Sequence, residues 1–317
     1  MKKLMTLVLS LFVLAAFAQQ RESEGPKRLM KVDKELSCPS FVMQPVDGTT
    51  LTANHLIENI LGEDILSYNL INFQGTEGID ASAGIFTGGI NAGISIESGI
   101  VLSSGFIANA IGPNISSGIS GVLNLPGDSD LNNLIPQSTL DATILEFEFV
   151  PTFDQIFIQF VFGSDEYNEY VGSGFNDVFG FFLNGVNIAL TPGTEDPITI
   201  NTINLGLNSD LYINNDPFHS DLTEPIYCTE MDGFTTVLVV EGAVIPGETN
   251  TIKLAIADAG DRVLDSWVFI GAEGFTGIIP DPDPDPDPTP VPLGHWSLIV
   301  GMGLILLFTF LRLRRIL

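Results

Sequence analysis

Between residues 143 and 162 the chain alternates apolar and polar positions with the two-residue period of a β-strand that has one buried face. The apolar positions are Leu145, Phe147 and Phe149 in one run and Ile156, Ile158, Phe160 and Phe162 in the next. Asn184-Gly185 then separates two further apolar runs, 178–183 and 186–190, and this dipeptide is well suited to a two-residue type I′ turn. The pattern therefore predicts two long strands followed by a β-hairpin.

A helical period occurs once in the mature chain, near its start. After a capping Thr52, the apolar residues Leu56, Ile57, Ile60 and Leu61 fall on one helical face, and Gly62 ends the pattern. Short strands are predicted at 99–105, 235–240, 251–257 and 266–270, separated by Gly, Pro and Asn. We expect an all-β fold, a β-sandwich of jelly-roll type with one short N-terminal helix, its interior filled by many of the 22 phenylalanines.

The first residues have the three parts of a secretory signal peptide. Two lysines precede an apolar run at 4–17, and Ala16-Phe17-Ala18 supplies small residues for a signal peptidase. Cleavage is predicted between Ala18 and Gln19. The alternative, an uncleaved N-terminal anchor, fits less well because the apolar run is short.

The last residues predict a transmembrane helix. Residues 293–311 are almost entirely apolar and long enough to span a bilayer, with Trp296 at the outer interface. Arg312, Arg314 and Arg315 follow and are expected to stay in the cytoplasm, which leaves the rest of the chain outside. A buried core helix is the alternative, although such a helix rarely ends a chain in a basic cluster.

Alternating Asp and Pro at 281–288 precede that segment and predict an extended, stiff spacer, because proline at every second position excludes helix and sheet. The predicted division is a signal peptide at 1–18, an N-terminal extension at 19–44, a β domain at 45–277, a stalk at 278–292 and a membrane or sorting segment at 293–317. The protein is therefore expected to be exported and held at the cell surface by its C-terminus.

Charge is distributed unevenly along the chain, whose formal net charge is −27. From Glu35 to Thr251 there is no Lys or Arg, but there are 28 Asp and Glu. Nucleic acid and anionic lipid are therefore not expected as partners of this region, since both require a basic surface. Clustered carboxylates without basic neighbours need either water or a bound cation.

Cys38 and Cys228 are the only cysteines. In an exported protein they are compatible with one disulfide that closes a long loop, and equally with two separate thiols.

Three segments carry a resemblance to a known family: FGSDEYNEY at 162–170, FNDVFGFFLNG at 175–185 and KLAIADAGD at 253–261. Further segments fit in order at 52–62, 98–105, 141–151 and 214–216. The chain resembles choice-of-anchor L domains of exported bacterial proteins, which are common in Bacteroidetes, over roughly residues 45–275. Its C-terminal segment, with Pro292-Leu293 and Trp296, looks like the tripartite tails of PEP-CTERM-like sorting systems. That resemblance implies a sorting machinery as a partner, and either a cleaved tail or a retained anchor.

The polar residues of the resembling segments suggest a calcium site, because calcium takes carboxylate and amide oxygens from loops. The candidate ligands are Asp165, Glu166, Asn168, Glu169, Asn176, Asp177, Asp258, Asp261 and Asp265. The alternative is that these residues cap strand ends and form Asx-turns, with Arg262 pairing with Asp258 or Asp265.

Three functions fit these features. The first is a non-enzymatic adhesion or binding module that contacts an extracellular protein or glycan surface. The second is an envelope carbohydrate-binding protein that uses Tyr167, Tyr170 or Trp267. The third is a glycoside hydrolase with Asp165 and Glu169 as its carboxylates. The first is favoured, since the sequence contains no nucleophile elbow and no phosphate loop.

Overall fold

A computed structural model of the chain describes residues 41–275. The predicted signal peptide, stalk and membrane segment lie outside the described residues. So do the predicted site residues Ala18, Gln19, Cys38, Trp296, Arg312, Arg314 and Arg315. No helix within residues 41–275 is long and apolar enough to cross a membrane.

The described residues form fourteen strands and two short α-helices. The helices are α1 (Ala53–Ile60) and α2 (Gly89–Ala92). The strands are β1 (Val42–Pro45), β2 (Ile65–Gln74), β3 (Ala83–Thr87), β4 (Ser98–Ser103), β5 (Thr139–Pro151), β6 (Gln155–Ser164), β7 (Val178–Leu183), β8 (Val186–Asn187), β9 (Ile198–Thr199), β10 (Tyr212–Asn214), β11 (Gly233–Thr235), β12 (Leu238–Ala243), β13 (Asn250–Ala259) and β14 (Ser266–Gly271).

The strands make two antiparallel sheets, which confirms an all-β fold consistent with a sandwich. The first sheet has the order β1-β3-β4-β14-β6-β11-β10, and β12 also pairs with β6. The second sheet has the order β2-β5-β13-β7-β8, and β9 also pairs with β7. Jelly-roll connectivity stays a prediction. Two groups of adjacent strands carry the candidate functional site: β14-β6-β11-β10 in the first sheet and β5-β13-β7 in the second.

Phenylalanines from both sheets fill the core, as the composition predicted. Phe160 of β6 contacts Phe179 of β7 with ring centroids 5.3 Å apart. Phe147 of β5 lies 5.8 Å from Phe275 by the same measure. Burying side chains of this size, with each contributing about 1.5–3 kcal/mol relative to exposure, provides the main stabilisation of the domain.

The short helix is confirmed. α1 begins after Thr52 and buries Leu56, Ile57 and Ile60. The backbone N–H of Thr52 donates to Nδ1 of His55 at 3.0 Å, so this N–H at the start of the helix has a hydrogen-bond acceptor.

The predicted hairpin is also confirmed, although its second strand is short. Asn184 and Gly185 connect β7 to β8 with φ values of 49° and 81°. Positive φ at both positions is what a type I′ turn requires.

Two strand predictions were wrong in detail. β6 was predicted to have one buried face, but it is buried on both. Phe157 and Val161, on the face away from the main core, are also buried. Val161 packs in a second cluster that includes Trp267 and Phe269. The single strand predicted at 235–240 is two strands, β11 and β12. The ladder is interrupted because Oγ1 of Thr235 accepts the N–H of Phe162 at 3.1 Å in place of a backbone carbonyl.

Candidate functional site

Four aspartates lie at one end of the first sheet, each at the end of a neighbouring strand. Asp265 directly precedes β14, Asp165 directly follows β6, Asp232 directly precedes β11, and Asp216 lies two residues after β10. We call Asp165, Asp216, Asp232 and Asp265 the acid row. Because neighbouring strands are about 4.8 Å apart, the antiparallel topology brings these residues close together. All four side chains are completely buried.

The second sheet places two more buried aspartates against this row. Asp177 directly precedes β7, and its Oδ2 accepts the hydroxyl of Ser266 at 2.7 Å, which joins the two sheets. Its Oδ1 accepts the N–H of Ala259 at 2.9 Å. Asp258 follows an irregularity in the pairing of β13 with β5, where the register shifts between Ile256 and Asp258. We call Asp177 and Asp258 the inner pair.

No lysine or arginine of the described residues neutralises these six aspartates. Lys253 and Arg262 are the only Lys or Arg between residues 41 and 275. Nζ of Lys253 pairs with Asp128 at 2.6 Å and with Asp130 at 2.7 Å. Nε of Arg262 pairs with Asp141 at 2.9 Å.

The predicted pairing of Arg262 with Asp258 or Asp265 is therefore wrong, since Asp141 holds the guanidinium. Asp141 also accepts the backbone N–H groups of Leu123 and Leu125. The arginine thus fixes the 123–125 segment.

Burial without positive charge makes ionisation of these carboxyls unfavourable. Desolvation raises the pKa of Asp177 and of Asp265 to about 7. Desolvation also raises the pKa of Asp165, Asp232 and Asp258 well above the ordinary value, and neighbouring carboxylates raise it further. At neutral pH the site therefore favours either a proton or a metal cation on several of these groups.

Several buried carboxylate oxygens lack a hydrogen bond in the described structure. They are Oδ1 of Asp165, Oδ2 of Asp232 and Oδ1 of Asp258. The other oxygen of Asp165 accepts the N–H of Ile119 at 2.6 Å. Buried polar atoms are usually satisfied, so these three oxygens are candidates to hold a proton or to bind a cation.

The structure brings together part of the predicted calcium set. Asp165, Asp177, Asp258 and Asp265 belong to the acid row and the inner pair, and Glu166 is buried beside them. The remaining four residues lie outside this set of buried carboxyls.

Asn168 and Glu169 lie nearer Asp216, to which Nδ2 of Asn168 donates at 3.2 Å. Asn176 instead accepts the N–H of Asn201, and Asp261 accepts the N–H of Val263. These last two contacts are of the loop and Asx-turn type that was the alternative to metal ligation.

Sequence reasoning missed Asp216 and Asp232 as members of this site, and also Glu230, whose charge acts on Asp165. Asp216 lies in the resembling segment at 214–216, and all three flank the short strands β10 and β11 in a stretch without basic residues. Their position at strand ends was the available signal. It was not recognised because strands of three residues give almost no periodic pattern.

Two buried asparagines hold the loop after β10 in place. Oδ1 of Asn215 accepts the N–H groups of Ile226 and Tyr227, each at 3.0 Å, while its Nδ2 donates to two carbonyls. Nδ2 of Asn114 donates to Oδ1 of Asp232 at 2.6 Å and to the carbonyl of Asn215 at 3.1 Å. The positions of Asp216 and Asp232 are therefore fixed by a hydrogen-bond network.

The aromatic residues considered for sugar binding are mostly internal. Tyr167 is completely buried, and its hydroxyl donates to the carbonyl of Ile203 at 2.7 Å. Trp267 is completely buried, and its Nε1 donates to the carbonyl of Phe106 at 3.2 Å. Neither ring provides an exposed platform.

Cys228 is disulfide-bonded, while Cys38, the other cysteine of the sequence, lies outside the described residues.

Comparison with models of known protein families gives a match over most of the chain. The family model described as Choice-of-anchor L domain matches residues 44–276, which include all six buried aspartates. No curated protein and no solved structure matches the chain significantly.

Proposed function

The chain belongs to the Choice-of-anchor L family, and we propose that it is a non-enzymatic binding module whose domain is stabilised by calcium. The family indicates a surface-associated protein. In our proposal the signal peptide exports the chain, the C-terminal tail anchors it, and the β domain contacts an extracellular protein or glycan surface.

One observation carries the calcium part of the proposal: six aspartates are buried together while Lys253 and Arg262 both pair with other carboxylates. Two carboxylates about 5 Å apart repel each other by on the order of 3 kcal/mol at an effective dielectric constant of 20. Several such pairs would cost more than a typical domain's net stability. A divalent cation removes this repulsion.

Calcium suits the carboxylate oxygens around Asp265. Asp265 is close enough to both Asp165 and Asp258 for their charges to interact, and two of the oxygens without hydrogen bonds belong to Asp165 and Asp258. Calcium accepts six to eight oxygen ligands in variable geometry, so carbonyls and water can complete its coordination. Asp177 and Glu166 supply further negative charge nearby.

Thermal unfolding of the purified full-length chain tests the calcium proposal. We expect millimolar calcium to raise the melting temperature at pH 8 by about 5–10 °C over an EDTA control. Asp165→Asn should lose most of this increase and melt higher than the wild type in EDTA, because the neutral amide removes a buried charge.

Asp154→Asn provides the matched control, since Asp154 is an exposed aspartate in the turn between β5 and β6. This variant should keep the wild-type response. A melting temperature that calcium does not change, or changes only as much as sodium chloride of equal ionic strength, would contradict the calcium proposal.

Surface display is tested separately in cells that express the chain. We expect the mature protein in the envelope fraction, with a mass that shows removal of residues 1–18, and accessible to a label that cannot enter cells. Deleting residues 293–317 should release it into the medium. Retention of this truncated chain on the cells would contradict C-terminal anchoring, and loss of the wild type to the medium would contradict display.

A further inference from the structure

At the Asp216 end of the acid row lies the imidazole of His219, a residue that the predicted calcium set did not include. Nδ1 of His219 lies 3.1 Å from Oε2 of Glu169 and 3.6 Å from Oδ2 of Asp216. One ligand atom from each of these three residues lies within 4.8 Å of the others. We call Glu169, Asp216 and His219 the outer triad.

The chain holds the outer triad in place before any ligand binds. Oδ1 of Asp216 accepts the N–H of Phe218 at 2.6 Å and the N–H of His219 at 3.0 Å, which forms a tight turn from the aspartate to the histidine. Nδ2 of Asn168 donates to Oδ2 of Asp216, while Oδ1 of Asn168 accepts the hydroxyl of Tyr212 at 2.9 Å. Two separate segments, 168–169 and 216–219, are thus fixed against each other.

Asp232 gives an independent indication of a cation at this end. Its side chain is completely buried, and its Oδ2 has no hydrogen-bond partner in the described structure. The N–H of Asn215 donates to the carbonyl of Asp232 at 2.9 Å, which puts Asp232 beside the segment that carries Asp216.

We propose that Glu169, Asp216 and His219, with Asp232 beside them, form a second metal site that binds a divalent transition-metal ion such as zinc. Imidazole nitrogen is a good ligand for zinc but not for calcium, which takes oxygen ligands. Two carboxylates and one imidazole leave a coordination position open to water. His219, whose side chain is 38% exposed, gives an entry path from solvent.

The site differs from the proposed calcium site in both ligands and position, and it does not depend on calcium binding. The competing arrangement is a simple ion pair, in which a protonated His219 neutralises Glu169 and Asp216.

Cobalt(II) is a suitable probe, because its visible absorption reports nitrogen ligation and low coordination number. We expect the calcium-loaded full-length chain to bind one equivalent of cobalt with visible d–d bands, and zinc to displace it. His219→Ala should remove these bands and weaken zinc binding in calorimetry at least about tenfold. The calcium-induced rise in melting temperature should be unchanged in this variant.

His55→Ala is the matched control, since His55 is the other histidine among residues 41–275 and lies in α1. It should bind cobalt as the wild type does. Absence of the bands in the wild type, or bands that persist in His219→Ala, would overturn the proposal. If the calcium response is absent while the cobalt bands are present, the calcium proposal is wrong and the proposal of a transition-metal site at the outer triad is supported.

Discussion

At the scale of single residues, the main feature is a set of carboxyls that folding removes from water. Burial raises the pKa of Glu230 to about 8, although its carboxylate accepts the N–H groups of Ile115 and Ser116. Desolvation therefore exceeds the benefit of two backbone hydrogen bonds at this residue. The same balance applies to Asp177, whose two oxygens are both hydrogen-bonded and whose pKa still rises to about 7.

These shifts predict how the metal-free protein responds to pH. The folded pKa values of Asp177 and Glu230 lie above the ordinary values of 3.8 and 4.5, so the folded state retains protons that the unfolded chain has released. These retained protons stabilise the folded state; the stabilisation is complete below about pH 4 and is lost as the pH rises through 7 to 8. In EDTA we expect the melting temperature to be at least about 5 °C higher at pH 5.5 than at pH 8.

A variant of Glu230 tests the origin of that pH dependence. Glu230→Gln keeps an oxygen for both backbone donors and removes the titrating group, so it should melt higher than the wild type at pH 8 and show a smaller pH dependence. Glu248→Gln, at an exposed glutamate, should behave as the wild type. A wild-type melting temperature that rises steadily from pH 5.5 to pH 8 in EDTA would contradict the assignment.

At the scale of secondary-structure elements, the success of sequence reasoning followed the strength of the local pattern. The alternation at Leu145, Phe147 and Phe149 predicted β5, and Asn184-Gly185 predicted the β7–β8 hairpin. β2 was not predicted, because Ile65–Gln74 does not alternate regularly and its pairing with β5 is interrupted by register shifts.

The site was harder to predict than the strands, for a physical reason. Residue types identified Asp165, Asp177, Asp258 and Asp265, but the acid row depends on which strands are neighbours. β6 and β11 are adjacent in the sheet, although about seventy residues separate them along the chain. Antiparallel pairing over such distances leaves no trace in local periodicity, so Asp232 could not be placed beside Asp165.

The close approach of β4 to β14 predicts the effect of one small change. A Cβ added at Gly105, just after β4, would lie 1.9 Å from Oδ2 of Asp265. Gly105→Ala should therefore displace the Asp265 carboxylate, lower stability by about 1–3 kcal/mol and reduce the calcium response in thermal unfolding.

Gly174→Ala is the control for that substitution. No atom lies within 4 Å of the Cβ position at Gly174, so the change should leave the melting temperature and the calcium response nearly unaltered. Equal behaviour of the two variants would show that the backbone near Gly105 can shift without disturbing Asp265.

At the scale of the whole molecule, the distribution of charge links folding to the surroundings of the protein. The net charge of −27 and the absence of Lys and Arg between Glu35 and Thr251 leave the acid row dependent on protons or external cations. In the proposed function the domain meets calcium after export, so the medium outside the cell supplies the stabilising ion.

Proteolysis at Lys253 measures this dependence in the full-length chain. Lys253 lies within β13, which pairs with β5 on one side and β7 on the other, so trypsin can cleave there only when the sheet opens. Calcium at a concentration of 100 times its Kd should stabilise the folded state by about 2.7 kcal/mol and slow this cleavage about 100-fold at pH 8. The rate is measured by mass spectrometry of the fragment that ends at Lys253, with a short peptide substrate as the control for trypsin activity. Because cleavage follows the open population, an equal rate with calcium and with EDTA would mean that the buried carboxyls are neutralised by protons alone.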